Sequence, residues 1–172
     1  RSYSAQDYVQ LIKRALHKIP NLGLGTDIMV GFPGEGETAF GNTLKLATEL
    51  PFAYFHVFPF SPRPGTAAVK LANPVNVTQM KKRTAILTSL SQAKRLAVHD
   101  RHIGTTIPVL FEAGHHDGFA VGTTPTFLRV AVPSRSELTN QMHSVTITAA
   151  SERWAVGHLA TQPAATTMLP IL

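Results

Sequence analysis

Leu24-Gly25-Thr26-Asp27-Ile28-Met29-Val30-Gly31-Phe32-Pro33-Gly34-Glu35 is a short, mostly apolar run cut off by two glycines and a proline. A run of that length, ended so abruptly, predicts a buried strand over Leu24–Val30 and then a tight turn, because glycine accepts the positive φ that sharp turns need. Upstream, Ser4-Ala5-Gln6-Asp7 has the form of a capping box. Tyr8, Leu11, Ile12, Ala15 and Leu16 then recur at helical spacing until Ile19-Pro20, so an amphipathic helix precedes the strand. Downstream, a second helix is expected from about Glu37 to Leu50, with Phe40, Leu44 and Ala47 on one face. The aromatic run Phe52–Phe60 reads as the next strand, ended by the two prolines of Ser61-Pro62-Arg63-Pro64-Gly65-Thr66. The order α, β, α, β implies parallel strands in an α/β sheet or barrel.

A long helix is expected from Asn76, whose side chain can cap while Gln79 completes the box, to about His102. Its apolar stripe is Met80, Leu87, Leu90 and Leu96-Ala97. Beyond Gly104 the texture changes. Short β-prone runs (Ile107–Phe111, Phe127–Val132, Val145–Thr148, Ala155–Leu159) alternate with Gly, Pro, Ser, Asn and His, the pattern of a small antiparallel barrel or sandwich. The expected organisation is an α/β part over 1–104, a small β module over 105–160, and an unassigned tail over 161–172.

The chain has 172 residues, 44% of them hydrophobic, enough to bury a core, and no cysteine. That last fact excludes disulfide scaffolds, thiolate zinc sites, cysteine nucleophiles and any iron–sulfur cluster held by the chain's own thiolates. No run of about eighteen apolar residues occurs and the first residues are polar and amphipathic, so neither a membrane span nor a signal peptide is expected, and a soluble, cytoplasmic protein is. The start at Arg1 rather than Met suggests a fragment. The formal charge of +6 is concentrated: residues 51–105 hold eight basic groups and one acidic group, Asp100. Such a stretch suits a polyanion such as nucleic acid, or a plain solvated surface.

Gly31–Glu35 lies where the carboxyl end of a parallel strand meets a helix, the usual ligand side of such sheets, though a purely structural turn has the same form. Ser61–Thr66 occupies the equivalent end of the next strand. There Arg63, stiffened between two prolines, suits a carboxylate or phosphate, or is a solvated residue of a surface turn. His56 reads as a hydrogen-bonded core histidine before a catalytic or ligand one. His99/His102, at a basic helix end, and His115-His116-Asp117, in a Gly-flanked loop, invite a metal reading but lack supporting carboxylate spacing, so solvated histidines are expected. Ser61 has neither a nucleophile elbow nor a convincing base. Lys81-Lys82-Arg83 is a wet helix face that can also track phosphates.

Taken together, Thr26 through Glu35, Phe40 and Thr43, then His56-Val57-Phe58-Pro59-Phe60-Ser61-Pro62-Arg63-Pro64-Gly65-Thr66-Ala67-Ala68, and the later helix opening with Lys82-Arg83, resemble the radical S-adenosylmethionine methylthiotransferases. The match runs over about residues 2–132 and weakens past Gly104. The His-Val-Phe-Pro-Phe-Ser wording resembles the bacterial MtaB branch, which modifies threonylcarbamoyladenosine beside the tRNA anticodon; the branches acting on isopentenyladenosine or on a ribosomal protein are the alternatives. The resemblance implies the last two strand–helix units of a partial TIM-like barrel followed by a TRAM-like RNA-binding β module.

It also implies a methylthio transfer to adenosine C2 that uses S-adenosylmethionine and [4Fe–4S] clusters. The cluster cysteines would lie upstream of Arg1, in a missing N-terminal part, leaving this piece inactive alone. Cofactors carry such chemistry, and the protein positions the cosubstrate and a flipped-out base. By the same resemblance Thr26, Asp27, Gly31, Pro33, Gly34 and Glu35 would shape the adenosylmethionine pocket at one strand end, and Ser61, Arg63, Gly65 and Thr66 at the other. Arg63 would meet a methionyl carboxylate or a tRNA phosphate, and Asp27 a ribose hydroxyl or a neighbouring loop. Lys81, Lys82, Arg83, Lys94, Arg95, Arg129 and Arg135 would hold the tRNA anticodon arm. A stand-alone RNA-binding module without chemistry is a second reading. A truncated product, whose Leu24–Val30 strand lacks its upstream neighbour, is a third.

Overall fold

The computed structural model describes residues 3–19, 21–133 and 138–160. Arg135, the tail 161–172 and Pro20 at the first helix end therefore lie outside the described residues. Contacts group the chain into two compact units, one ending at Lys94 and one beginning at Arg95.

In the first unit, helix α1 (Ala5–Lys18) leads into strand β1 (Gly25–Val30), helix α2 (Glu37–Glu49) and strand β2 (Tyr54–Pro59). The capping box forms as expected: the Ser4 hydroxyl accepts from Asp7 N–H at 3.1 Å and Asp7 Oδ2 accepts from Ser4 N–H at 2.8 Å. These contacts stabilise the Asp7 carboxylate and hold its pKa below the ordinary value, led by the Ser4 backbone bond. The strands pair in parallel with Asp27 opposite His56 and Met29 opposite Phe58. A 3-10 turn (Ala67–Lys70) precedes helix α3 (Val77–Asp100).

The side chains of β1 and β2 alternate in burial, and one face supplies Ile28, Val30, Phe55 and Val57 to a core shared with Tyr8, Ile12, Phe40, Ala47, Leu50 and Leu87. α1, α2 and α3 thus all cover that one face. The other face carries Gly25, Asp27, Met29, Tyr54, His56 and Phe58. Met29 and Phe58 are 55% and 50% exposed, so the expectation of a strand buried on both sides is corrected. His56 is corrected likewise: it stands exposed on this open face, its ring between those of Tyr54 and Phe58 at 5.4 and 6.3 Å.

α3 starts at the expected place, with Asn76 Oδ1 accepting from Thr78 N–H at 2.8 Å. The reciprocal half of its box does not form, because the Gln79 amide donates to Glu37 instead. Lys94 Nζ reaches back to the Thr48 and Leu50 carbonyls, both at 2.9 Å, and caps the negative end of α2.

In the second unit the β-prone runs become β3 (Thr106–His116), β4 (Phe119–Thr123), β5 (Arg129–Pro133), β6 (Met142–Ala150) and β7 (Ala155–Leu159), closed into a barrel in the order β3-β4-β5-β7-β6. Alternate residues fill it: Val109, Phe111, Val130, Val132, Val145 and Ile147. Two expectations change. The barrel is not wholly antiparallel, since β5 and β7 pair in parallel. And His115-His116-Asp117 is no loop: β3 runs through His116, and the turn is Asp117-Gly118, both at positive φ, joining His116 to its β4 partner Phe119. Positive φ at both loop positions is the type I′ hairpin geometry, which an Asp-Gly pair favours.

His99, expected in solvent, is 2% exposed and its Nδ1 lies 2.5 Å from the Ser151 carbonyl. A carbonyl only accepts, so the proton sits on Nδ1. Burial, opposed by that hydrogen bond, lowers the His99 pKa, with Arg95 and His102 adding repulsion. A histidine depressed in the folded state supports stability fully above its unfolded pKa and loses that support as pH falls through the lower folded value. The barrel should therefore melt at a lower temperature at pH 5 than at pH 7.5. His99→Asn, which keeps a donor but cannot titrate, should flatten part of that slope; an unchanged slope in thermal melts would contradict this account.

Candidate functional site

Two turns of the same build stand at the carboxyl ends of β1 and β2. In Phe32-Pro33-Gly34-Glu35 the Glu35 N–H bonds the Phe32 carbonyl at 2.9 Å, and in Arg63-Pro64-Gly65-Thr66 the Thr66 N–H bonds the Arg63 carbonyl at 3.2 Å. Each has proline second and a glycine third at φ of +86° and +81°, the type II arrangement. The Thr66 hydroxyl adds a second bond to the Arg63 carbonyl at 2.8 Å. Phe32 and Phe60 meet edge to face with ring centres 5.3 Å apart, and Phe60 N–H bonds the Val30 carbonyl, so the two turns begin side by side.

The first turn is tied down from behind. Glu35 Oε2 accepts Gly31 N–H at 2.7 Å and Arg83 Nη1 at 2.9 Å, while the same Nη1 donates to the Glu35 carbonyl at 2.8 Å. Arg83 Nη2 reaches Glu37 at 3.0 Å and its Cζ lies 5.0 Å from the centre of the Phe40 ring. Gly31 is at φ +80°, and a Cβ there would come within 2.5 Å of Met80 Sδ.

These placements sort the expected residues. Asp27, Gly31, Pro33, Gly34, Glu35, Ser61, Arg63, Gly65 and Thr66 lie on the open face or in the two turns, with Asp27, Ser61, Arg63 and Thr66 exposed. The Asp27 carboxylate has no hydrogen-bond partner among the described residues. Thr26 is apart from them: it sits near the start of β1 on the helix-covered side, its hydroxyl 3.0 Å from that of Tyr8.

Of the expected RNA-contacting cations, Lys81 and Lys82 are exposed on α3. Arg83 is corrected from a wet-face residue, since its side chain is 3% exposed and engaged by Glu35 and Glu37. Lys94 holds the α2 carbonyls already described, and Arg95 is half-buried. In the second unit Arg129 Nη1 lies 2.7 Å from both Glu112 carboxylate oxygens. The Thr123 hydroxyl and then Arg129 hold the Glu112 carboxyl below its ordinary pKa. No group of three or more metal-ligating side chains occurs among the described residues, and none of their helices is long and apolar enough to cross a membrane.

Met29, Tyr54, His56 and Phe58, which share the open face with Asp27, were not singled out as ligand contacts from the sequence. The signal was present: a carboxylate in the middle of a strand read as buried, and an imidazole two residues from each of two aromatic rings. Together the face offers a carboxylate acceptor, an imidazole, a thioether and aromatic rings, bounded by two glycine turns and an exposed guanidinium. That set suits a planar, partly apolar ligand bearing hydroxyl and carboxylate groups.

No family model matches the chain. It is 36% identical over 160 residues, 92% of its length, to the tRNA-2-methylthio-N(6)-dimethylallyladenosine synthase of Maricaulis maris (strain MCS10). It is also 39% identical over 114 residues, 66% of its length, to the protein of the same name from Tropheryma whipplei (strain Twist). It spans 35% and 24% of those proteins, so about a third or less of the curated relatives it matches. Both relatives carry dimethylallyladenosine in their names, which is the isopentenyladenosine alternative. The threonylcarbamoyladenosine expectation, drawn from a few residues around His56, finds no support in them.

Proposed function

We propose that this chain is the C-terminal portion of a radical S-adenosylmethionine methylthiotransferase that modifies dimethylallyladenosine in tRNA. The carrying observation is the likeness to the Maricaulis synthase, which runs through both compact units. The fold agrees. A parallel β–α–β unit with every helix on one face has the form of a piece of barrel wall, and no strand among the described residues pairs with the second edge of β1. The five-stranded barrel is consistent with a TRAM-like RNA-binding module.

The residues fit S-adenosylmethionine. Asp27 offers a free carboxylate to ribose hydroxyls, Met29 and Phe58 offer apolar surface to the adenine, and Arg63 offers a fork to the methionyl carboxylate. They do not fit an iron–sulfur cluster, because the chain has no cysteine. This portion accordingly binds, orients and screens from water, while radical generation belongs to residues outside it. Lys81 and Lys82 contribute sequence-independent attraction for the tRNA backbone.

The test is nucleoside analysis of tRNA by mass spectrometry in a bacterium lacking its own synthase and given the intact protein that carries this chain. The 2-methylthio derivative of dimethylallyladenosine is expected. Its threonylcarbamoyl counterpart would overturn the substrate assignment, and neither product would overturn the enzyme.

A further inference from the structure

We propose that Arg83 is a positioning residue for the ligand turn after β1, acting through the Glu35 carboxylate from the covered side of the sheet. The proposal rests on the functional reading above and adds what keeps the site in shape.

The turn at Phe32–Glu35 has little of its own to fix it. Its one internal bond is Glu35 N–H to the Phe32 carbonyl, and a Pro-Gly turn ending in solvent can open. α3 and the residue segment before it hold it at three points. Gly34 N–H bonds the Asn73 carbonyl at 2.8 Å. Met80 packs against the bare Cα of Gly31. Glu35 bridges Gly31 N–H and Arg83, and Arg83 also takes the Glu35 carbonyl.

Only the last contact fixes side chain and backbone together, because one Nη1 serves both the carboxylate and the carbonyl of the same residue. An ammonium can also bond two acceptors, as Lys94 Nζ does, but only the fork holds both Glu35 oxygens with one nitrogen while its second nitrogen takes Glu37. Phe40 beneath Cζ and Glu37 on Nη2 hold the guanidinium in place. Arg83 Nε is buried without a partner, so the residue gives up a hydrogen bond to stand where it does. Such a sacrifice suits a group selected for the position of its fork. The Arg83 side chain is 3% exposed and packs on Phe40 of the covered core, so it acts on the turn through Glu35 and not from the open face.

The experiment compares Arg83→Gln, Arg83→Lys and Glu37→Gln in the intact holoenzyme. Hydrogen exchange, read by mass spectrometry on the peptide containing Gly31–Glu35, should accelerate about tenfold in Arg83→Gln, the size expected for losing a hydrogen bond to a charged group. The peptide containing Phe55 in the same unit should keep its rate. KM for S-adenosylmethionine should rise about tenfold in parallel, with kcat changed far less. Arg83→Lys should recover only part of both, and Glu37→Gln, which weakens the bonds from Nη2 and Gln79 but leaves those to Glu35, should change little. Should Arg83→Gln fail to fold, Arg83→Lys carries the same two readouts.

Unchanged exchange at Gly31–Glu35 would overturn the proposal while leaving the functional reading untouched. Faster exchange with an unchanged KM would equally overturn it, reducing Arg83 to a structural brace. Failure of S-adenosylmethionine to bind even the unsubstituted holoenzyme would bring down the functional reading and the proposal with it.

Discussion

Gly122→Ala is expected to destabilise the five-stranded barrel by about 3 kcal/mol, the upper part of the range for overpacking a tight core. Gly122 lies on β4 opposite Phe111 of β3 and Val130 of β5. A Cβ there would come 2.5 Å from the Leu110 carbonyl oxygen and 2.6 Å from Val109 Cγ1. The oxygen belongs to a strand paired on both sides and cannot step aside, so the sheet itself must shift. Gly157 on β7 repeats the arrangement against Thr146 and Val145 of β6, and its alanine variant should lose a similar amount. A small barrel curls so sharply that neighbouring backbones crowd its bends, and glycine is the residue that admits them.

The control is Gly118→Ala. Gly118 is at φ +83° with nothing near its missing Cβ, so only backbone strain is added, about 1 kcal/mol. For a unit of this size, 3 kcal/mol lowers the melting temperature by about 15 °C and 1 kcal/mol by about 5 °C. Equal shifts in the three variants would show that crowding is not what the glycines relieve.

Those glycines mark where sequence reading stops. The α, β, α, β order was legible because each element is short, strongly patterned and ended by Pro or Gly, and the Ser4/Asp7 cap could be read directly. β4 was not legible. Phe119-Ala120-Val121-Gly122-Thr123 has small residues and an internal glycine where strands usually carry bulk, because barrel closure, not local propensity, selects them. The Asp117-Gly118 hairpin signal was there, but the two histidines before it drew attention to metal chemistry.

In the candidate site the turns could be placed from their glycines and prolines. Which face of the strands was open, and that Arg83 turns inward, could not. Both follow from three helices choosing the same side of the sheet, a tertiary fact with no local signature. Arg83 was grouped with Lys81 and Lys82 by adjacency. On a helix, however, successive residues point about 100° apart, so a run of three cations cannot share one face.

Ser91→Ala should be nearly as damaging to the first unit, lowering its stability by about 3 kcal/mol. The buried Ser91 hydroxyl accepts from Phe55 N–H at 2.8 Å and donates to the Phe55 carbonyl at 2.7 Å. One oxygen on α3 thus stands where a neighbouring strand would stand, satisfying both polar groups of a residue that is itself in the core. Alanine removes only that oxygen, so packing loss is small and the penalty is for two buried backbone groups left unpaired, each about 1–3 kcal/mol. A loss under 1 kcal/mol in chemical denaturation would mean that water replaces the hydroxyl and the edge of β2 is open. The expected larger loss has a consequence for assembly. At Phe55 the outer edge of β2 is taken by α3, so a further strand could not pair there without displacing Ser91.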